Sequence, residues 1–274
     1  MLPNLVSLQL RVDGPLAFLT FDHGKANEMG SQELADIEAL CTFLEAGEVR
    51  ALITTSHRRS ARGTPIFVAG ANVTERSGWS DVEIKAHVRR QRAVLGRLRR
   101  VPVFHVAVID GVALGWGTEF TLCCDYRIAG PGARFGLPET GLGILPGAGG
   151  SSELASRIGV SQALRLGMTG EQIDANEAVR IRLVDELAES IEAGLTRAEA
   201  LAKKAATRSP TAIAAFKMAV LASVGVAGDL REEIEARAYE HCVDSGDAAV
   251  GRAGFAVAAA GGQLSWGPLR QEWP

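Results

Sequence analysis

Cysteine is scarce and unpatterned in this chain. Cys41, Cys123, Cys124 and Cys242 show no metal-ligand spacing, and the adjacent pair is a poor disulfide on geometric grounds. They read as reduced core residues. The five histidines, His23, His57, His87, His105 and His241, are equally scattered, without HxxxH or a Cys/His cluster, which disfavours a metal hydrolase. His105 falls in an apolar strand and reads as a core residue. There is no long basic run, and the formal charge is −3, so a nucleic-acid surface is excluded as a working reading. No unbroken apolar run reaches the length of a membrane span. GxSxG, GxxxxGK[ST] and GxGxxG in a βαβ setting are all missing, which sets aside serine hydrolysis, nucleotide hydrolysis and dinucleotide binding. The opening MLPNLVSLQLRVDG alternates instead of placing a basic region before an apolar stretch, so it reads as a strand, not a signal peptide, and a cytoplasmic location is expected.

What the sequence has is glycine and an ordinary globular balance. Of 274 residues, 31 are glycine, against 47% hydrophobic and 22% charged, which predicts a folded chain with many tight turns or close backbone approaches. Residues 5–12 and 15–21 are strand-like runs around Asp13-Gly14, a hairpin signal. Residues 31–43 carry Leu34, Ile37, Leu40 and Phe43 at helical spacing, and 51–55 are a β-branched run, giving β-β-α-β. A loop over 57–65 leads to a short strand at 66–69 and the small-residue turn Gly70-Ala71-Asn72. A long amphipathic helix is predicted over 81–100, stopped near Pro102, then a strand buried on both faces over 103–109. Along that helix Arg89, Arg90, Arg92, Arg97, Arg99 and Arg100 read as a solvated face, with contact to an anionic ligand or subunit as the alternative. The alanine-rich segments 191–223 and 229–260 have helical spacing, with Ser209-Pro210 as cap and first position. Residues 261–274, with Trp266 and Trp273, show little regularity.

Two glycine-rich segments concentrate the chemistry. Residues 110–119, DGVALGWGTE, run from strand through turn into a helix start, a junction that exposes backbone N–H groups with a positive helix end behind them. Residues 133–150 are too rich in Gly and Pro for a helix or long strand and must form a shaped loop, before a helix at 152–158. Each segment contains one glutamate.

FVAGAN (67–72), DGVALGWGTE (110–119) and FGLPETGLGILPGAGG (135–150), in that order and spacing, resemble the three signature segments of the enoyl-CoA hydratase/isomerase (crotonase) family. The likeness runs from about residue 5 to 185, and more loosely to 255. It implies an α/β fold, a spiral of ββα repeats with a helical C-terminal region. The expected division is a core over 1–200 holding the active site, and helices over 201–274 serving assembly and part of the pocket. The implied ligand is an acyl-CoA thioester, with CoA belonging to the substrate and no further cofactor. A homotrimer or dimer of trimers is implied, with neither nucleic acid nor membrane as partner.

By the same resemblance, Glu119 and Glu139 match the family's acid/base positions. Hydrating a conjugated enoyl thioester needs a base for water and an acid for Cα, and two carboxyls can share one water. The backbone N–H groups of Ala69 and Trp116 are the implied oxyanion hole, because charge developing on a thioester oxygen needs fixed donors. Lys25, Ala26, Ala69, Gly70, Ala71, Asn72, Trp116 and Gly147 are the implied contacts to substrate and CoA. Three departures stand out. Trp116 replaces the usual glycine and either narrows the acyl channel or fills a core gap. Asn72 stands where Asp is common, and Ser151-Ser152-Glu153 where Thr-Gln-Arg is usual. The lysine-rich ending is absent, so a phosphate contact falls to Lys217, Arg252 or nothing. An isomerase, a C–C hydrolase or a non-catalytic acyl-CoA-binding homologue are the alternatives to hydration.

Overall fold

The computed structural model describes residues 2–270. Strands β1 (Gln9–Asp13) and β2 (Leu16–Phe21) form the antiparallel hairpin that Asp13-Gly14 predicts. The first strand begins four residues later than its alternation suggests. The N–H groups of Val6, Ser7 and Leu8, which a strand would present to a neighbour, donate instead to the carboxylate of Asp36 at 2.7–3.0 Å. Asp36 is buried in α1 (Ser31–Glu45), so one side chain fixes the entry of the whole chain. Asp36→Ala should therefore destabilise the protein by about 2–3 kcal/mol, since it leaves several amides unsatisfied around a lost charged acceptor. Urea unfolding measures this, and a midpoint equal to wild type would show that the segment is held by something else.

The chain then repeats one unit. β3 (Ala51–Ser56) and β4 (Ile66–Val68) precede α2 (Asp81–Arg100), β5 (Phe104–Ile109) and β6 (Val112–Leu114) precede α3 (Trp116–Thr121), and β7 (Tyr126–Ala129) and β8 (Arg134–Gly136) precede a 3-10 turn at Pro138–Leu142. In each unit the first strand joins a six-stranded sheet, β1-β2-β3-β5-β7 with β10 (Glu186–Leu187) at its edge, and the second a four-stranded sheet, β4-β6-β8 with β9 (Ile173–Asp174) at its edge. The expected ββα spiral is what the chain forms. The expected single turn at 110–117 is in fact turn, strand and turn, because β6 pairs parallel with both β4 and β8. Likewise the glycine- and proline-rich stretch from 133 includes the short strand β8 before its loop.

Helix α2 starts at a reciprocal cap, Ser80 accepting from the Glu83 N–H while the Glu83 carboxylate accepts from the Ser80 N–H. Its arginines divide between solvent and ion pairs: Arg89, Arg92 and Arg100 are exposed, as a solvated face would have them. Arg90 pairs with Glu38, Arg97 with Glu45 and Arg99 with Glu153, so the charged face bolts α2 to α1 and to the segment after the glycine-rich loop.

Past the spiral come α4 (Leu154–Ile158), α5 (Val160–Thr169), β9 (Ile173–Asp174), α6 (Ala175–Arg180) and β10 (Glu186–Leu187). Helix α7 (Ile191–Ala206) lies on the outer face of the larger sheet, where Ala198 and Ala202 pack with Ile53, Val106, Val108 and Ile128. Small residues permit that approach: a Cβ on Gly194 would sit 2.9 Å from Val108 Cγ1. A division at residue 200 would cut this helix in two. Helix α8 (Pro210–Ser223) comes next, capped by Ser209 as its sequence predicts. α9 (Gly228–Asp244), α10 (Asp247–Ala253) and α11 (Phe255–Ala259) follow.

Lys217 on α8 is buried, its Nζ donating to Asp125 Oδ2 at 2.8 Å and to the Val103 carbonyl at 3.0 Å. It ties the helix to β5 and β7 and is not available to a phosphate. Trp266 docks through its indole N–H on the Thr207 carbonyl, and Trp273 lies outside the described residues. Cys41, Cys123 and Cys124 are buried and all four cysteines are unbridged. His105 is a core residue, its Nε2 2.8 Å from Thr54 Oγ1. Among the described residues no helix is long and apolar enough to cross a membrane.

Candidate active site

Three parallel strands of the smaller sheet, β4, β6 and β8, bring the three glycine-rich segments to one end. β4 and β6 are paired through Val68 and Ala113, and β6 and β8 through Leu114 and Gly136, so residues 69–72, 115–119 and 137–150 all emerge side by side. Glycine is what lets them touch. A Cβ on Gly117 would lie 2.2 Å from the Val68 carbonyl oxygen, and one on Gly115, at φ +51°, would lie 2.6 Å from Glu139 Oε1. Thr118, which the sequence did not single out, stitches the junction: its Oγ1 donates towards the carbonyls of Ala113 (2.6 Å) and Gly136 (3.0 Å) and accepts from the Gly136 N–H.

Glu119 sits on the first turn of α3 with only 3% of its surface exposed. Its Oε1 accepts from the N–H groups of Ala148 (2.7 Å) and Gly150 (2.9 Å). This is what the second half of the glycine-rich loop does: it presents two amides to a carboxylate on another element. Burial raises the Glu119 pKa, while those two amides and the Arg92 charge act in the opposite direction. Glu139, on the 3-10 turn, is half-buried. Its Oε2 has no hydrogen-bond partner among the described residues. Burial, supplemented by the negative charge of Glu119 and opposed by a bond to its own backbone, pushes its pKa up to about 7. One carboxyl is thus supported by donors, and its neighbour is not.

Trp116 is the first residue of α3, and its N–H has no acceptor within the described chain. On the β4 side, the Ala69 N–H donates to the Ala26 carbonyl at 3.1 Å, and the Asn72 N–H donates to the Met29 carbonyl at 2.8 Å. Between them, the N–H groups of both Gly70 and Ala71 find no acceptor among the described residues, and Ala71 lies at a parallel bridge to Met29. The Ala69 amide expected as an oxyanion donor is thus bonded within the fold, and the segment's free amides are the next two. Gly70, at φ +127°, makes the turn, and its carbonyl accepts from the Met29 N–H.

The remaining residues of the expected site are placed as follows. Ala26 gives its carbonyl to Ala69 and its N–H to Glu28, while Lys25 is exposed beside it on the same loop. Asn27, missed from sequence, is the anchor of that loop: wholly buried at φ +53°, it donates to Phe67 O at 2.7 Å and to Ser56 Oγ at 2.9 Å. Asn72 caps its own turn by accepting from the Glu75 N–H. Gly147 packs on α2, where Arg92 Nε donates to its carbonyl at 2.9 Å. Glu153, in the unusual Ser151-Ser152-Glu153, pairs with Arg99 at 2.7 Å. The Trp116 indole is 2% exposed and stacks on Phe120 with ring centroids 5.7 Å apart, in a chain of rings with Phe21 and Phe67. Its body fills the core. Its Nε1–H finds no partner.

A sequence profile described as enoyl-CoA hydratase/isomerase matches residues 14–258. The chain belongs to the enoyl-CoA hydratase/isomerase family. It is an enzyme of the enoyl-CoA hydratase type, with the crotonase fold. It is 33% identical over 246 residues to a short-chain-enoyl-CoA hydratase of Clostridium acetobutylicum, covering 89% of this chain and 92% of that one. A mouse mitochondrial protein described as enoyl-CoA hydratase domain-containing protein 2 is 35% identical over 233 residues, 84% of this chain and 77% of its own length. Among solved structures, an enoyl-CoA hydratase from Bacillus anthracis superposes with a TM-score of 0.86 at 28% identity, covering 95% of this chain and 99% of that one.

Proposed function

We propose that this family member adds water across a 2-enoyl-CoA to give the 3-hydroxyacyl-CoA, or runs the reverse dehydration, with Glu119 as base and Glu139 as acid. The observation that carries the reading is the asymmetric carboxyl pair. Glu119, holding two amide hydrogen bonds, is the group suited to remain ionised, and Glu139, without such donors and facing a neighbouring negative charge, is suited to keep its proton near neutral pH. A water between them loses a proton to Glu119 as its oxygen bonds to C3. The electron pair of the C2–C3 double bond moves towards the thioester, and its oxygen accepts from the Trp116 and Ala71 amides. Glu139 then delivers its proton to C2. Each such donor contributes about 3 kcal/mol to the transition state. Ala69 is replaced in this role because its N–H is already committed to Ala26.

In the same reading the loop bearing Lys25 and Ala26 borders the nucleotide part of CoA, with Gly70, Ala71, Asn72, Trp116 and Gly147 lining the thioester end. The helices beyond Pro210 serve assembly into a trimer or a dimer of trimers. Disappearance of the conjugated-enoyl absorbance when the purified protein meets crotonyl-CoA tests the reaction, and inertness towards short and medium enoyl-CoAs alike would overturn it.

The pair also sets a pH dependence. Because the reaction needs Glu139 protonated and Glu119 ionised, kcat/KM should fall as pH rises through about 7, and fall again on the acid side above the ordinary carboxylate value of 4.5, where Glu119 takes up its proton. A rate profile from pH 5 to 9 checks both limbs. A flat alkaline side would remove Glu139 from the acid role.

A further inference from the structure

Arg90, Arg97 and Arg99 of α2 each hold a carboxylate, but Arg92 forms no ion pair among the described residues. Its Nε donates instead to the Gly147 carbonyl at 2.9 Å. That oxygen belongs to the same peptide group as the Ala148 N–H, which donates to Glu119 Oε1 at 2.7 Å. A trans peptide is planar and points its C=O and N–H in opposite directions. One rigid group therefore carries the Arg92 guanidinium on one edge and the Glu119 carboxylate on the other.

Residues 147, 149 and 150 are glycines, without side chains to anchor this stretch, so its backbone groups and its contacts must do so. The contacts come from one stripe of α2. Val88 Cγ1 lies 2.8 Å from where a Gly147 Cβ would be, and Arg99 Nη2 lies 3.3 Å from where a Gly149 Cβ would be. Val88, Arg92 and Arg99 stand at i, i+4 and i+11, on the same helix face. A peptide released from Arg92 could rotate its Ala148 N–H away from Glu119. That carboxylate is 3% exposed and takes two amide donors, so losing one leaves much of the cost of burying its charge uncompensated. A hydrogen bond to the carbonyl also polarises the N–H of the same peptide and strengthens the bond it donates.

We propose that Arg92 is a positioning residue for Glu119, acting through the Gly147–Ala148 peptide and touching neither the substrate nor the reacting atoms. Its effect on rate rests on the hydratase reading, in which Glu119 is the base; its effect on the loop does not. The charged and titratable groups around Glu119 are Glu139 on the 3-10 turn, Arg92 on α2, the paired Arg99 and Glu153 beside Gly149, and the Cys123 thiol, which donates to the Glu119 carbonyl. Among these Arg92 is the cation without a carboxylate partner. Its charge and the amide it orients both favour the ionised form of Glu119.

The test is Arg92→Met in the full-length protein. Position 92 is exposed and Met is a good helix former, so the variant should fold as wild type does. Hydrogen exchange at the Ala148 and Gly150 amides, read by mass spectrometry on overlapping peptides, should be about tenfold faster or more. With crotonyl-CoA, kcat/KM should fall by about tenfold at pH 5.5 but only about twofold at pH 7, with KM little changed, because Glu119 then takes up its proton at higher pH and the acid limb of the profile moves up. Arg89→Met, which removes an exposed cation three residues earlier on the same helix, should match wild type in both measurements. Faster exchange in a protein that hydrates no enoyl-CoA would uphold the positioning and remove the hydratase reading alone. Unchanged exchange in Arg92→Met, a rate loss equal at the two pH values, or the same changes in Arg89→Met would overturn the proposal.

Discussion

Glu119→Gln and Glu139→Gln should each lower kcat by about two to four orders of magnitude on a short enoyl-CoA while leaving the protein folded, the range expected for loss of a positioned general acid or base. Gln matches Glu in volume, so packing is preserved. The two variants differ in a second respect that separates chemistry from structure. The folded-state pKa of Glu139 is raised to about 7 from 4.5, so between these values the native protein holds a proton that the unfolded chain has released. Its contribution is thus neutral below pH 4.5 and becomes a growing penalty as pH rises to about 7, after which it is constant. Glu139→Gln removes that penalty. The variant should be more stable than wild type at pH 8, by an amount on the order of 1 kcal/mol after allowance for its partial solvent contact, and indistinguishable from it at pH 4.5. Thermal unfolding at the two pH values measures this. Activity close to wild type in either variant would exclude that residue from the proposed pair, and equal gains at both pH values would show that burial at position 139 has another effect.

Gly117→Ala should be the most damaging single-methyl change near the site. The added Cβ would lie 2.2 Å from the Val68 carbonyl oxygen and 3.1 Å from its carbon, both backbone atoms of a fully buried strand. Neither can swing aside, so α3 must shift away from β4, carrying Trp116 and Glu119 with it. Overpacking of this sort costs about 1–3 kcal/mol, and a displacement of about 1 Å at a reacting centre costs about a hundredfold in rate. Kinetics and urea unfolding on one preparation read both. Gly167→Ala is the control: it lies within α5 with nothing within 4 Å of its Cβ position, so it should keep full activity and gain up to about 1 kcal/mol. Gly117→Ala with wild-type kcat/KM would mean that the distance between β4 and α3 is not critical to catalysis.

Such a contrast between two glycines is invisible in the sequence, where both are simply Gly. What could be read there was local. Asp13-Gly14, the spacing of Leu34, Ile37 and Leu40, and the Ser209-Pro210 cap each state their element within a few residues, because turn chemistry and helix periodicity act over that range. The two glutamates were legible for the same reason, each lying inside a segment whose glycine pattern is distinctive. The misreadings all involve partners distant along the chain. Residues 5–8 alternate like a strand, but their amides find Asp36. Lys217 resembles a free cation, but Asp125, 92 positions earlier, claims it. Residue 200 resembles a boundary, but Ala198 and Ala202 face the sheet.

The sequence by itself thus determined the family and the ββα order of the spiral, and it pointed to the two glutamates of the proposed chemistry. Those follow from short patterns and from chemistry that needs two carboxyls. The tertiary structure decided which amides of the β4 turn are free, since the bond from Ala69 to Ala26 spans two loops. It decided that the carboxyl pair is unequal, because the donors to Glu119 come from residues 148 and 150. It also decided that the indole of Trp116 belongs to the core, stacked on Phe120, while its N–H remains unpaired. Hydrogen-bond satisfaction is a property of the assembled neighbourhood, and no single segment of this chain contains its own neighbourhood.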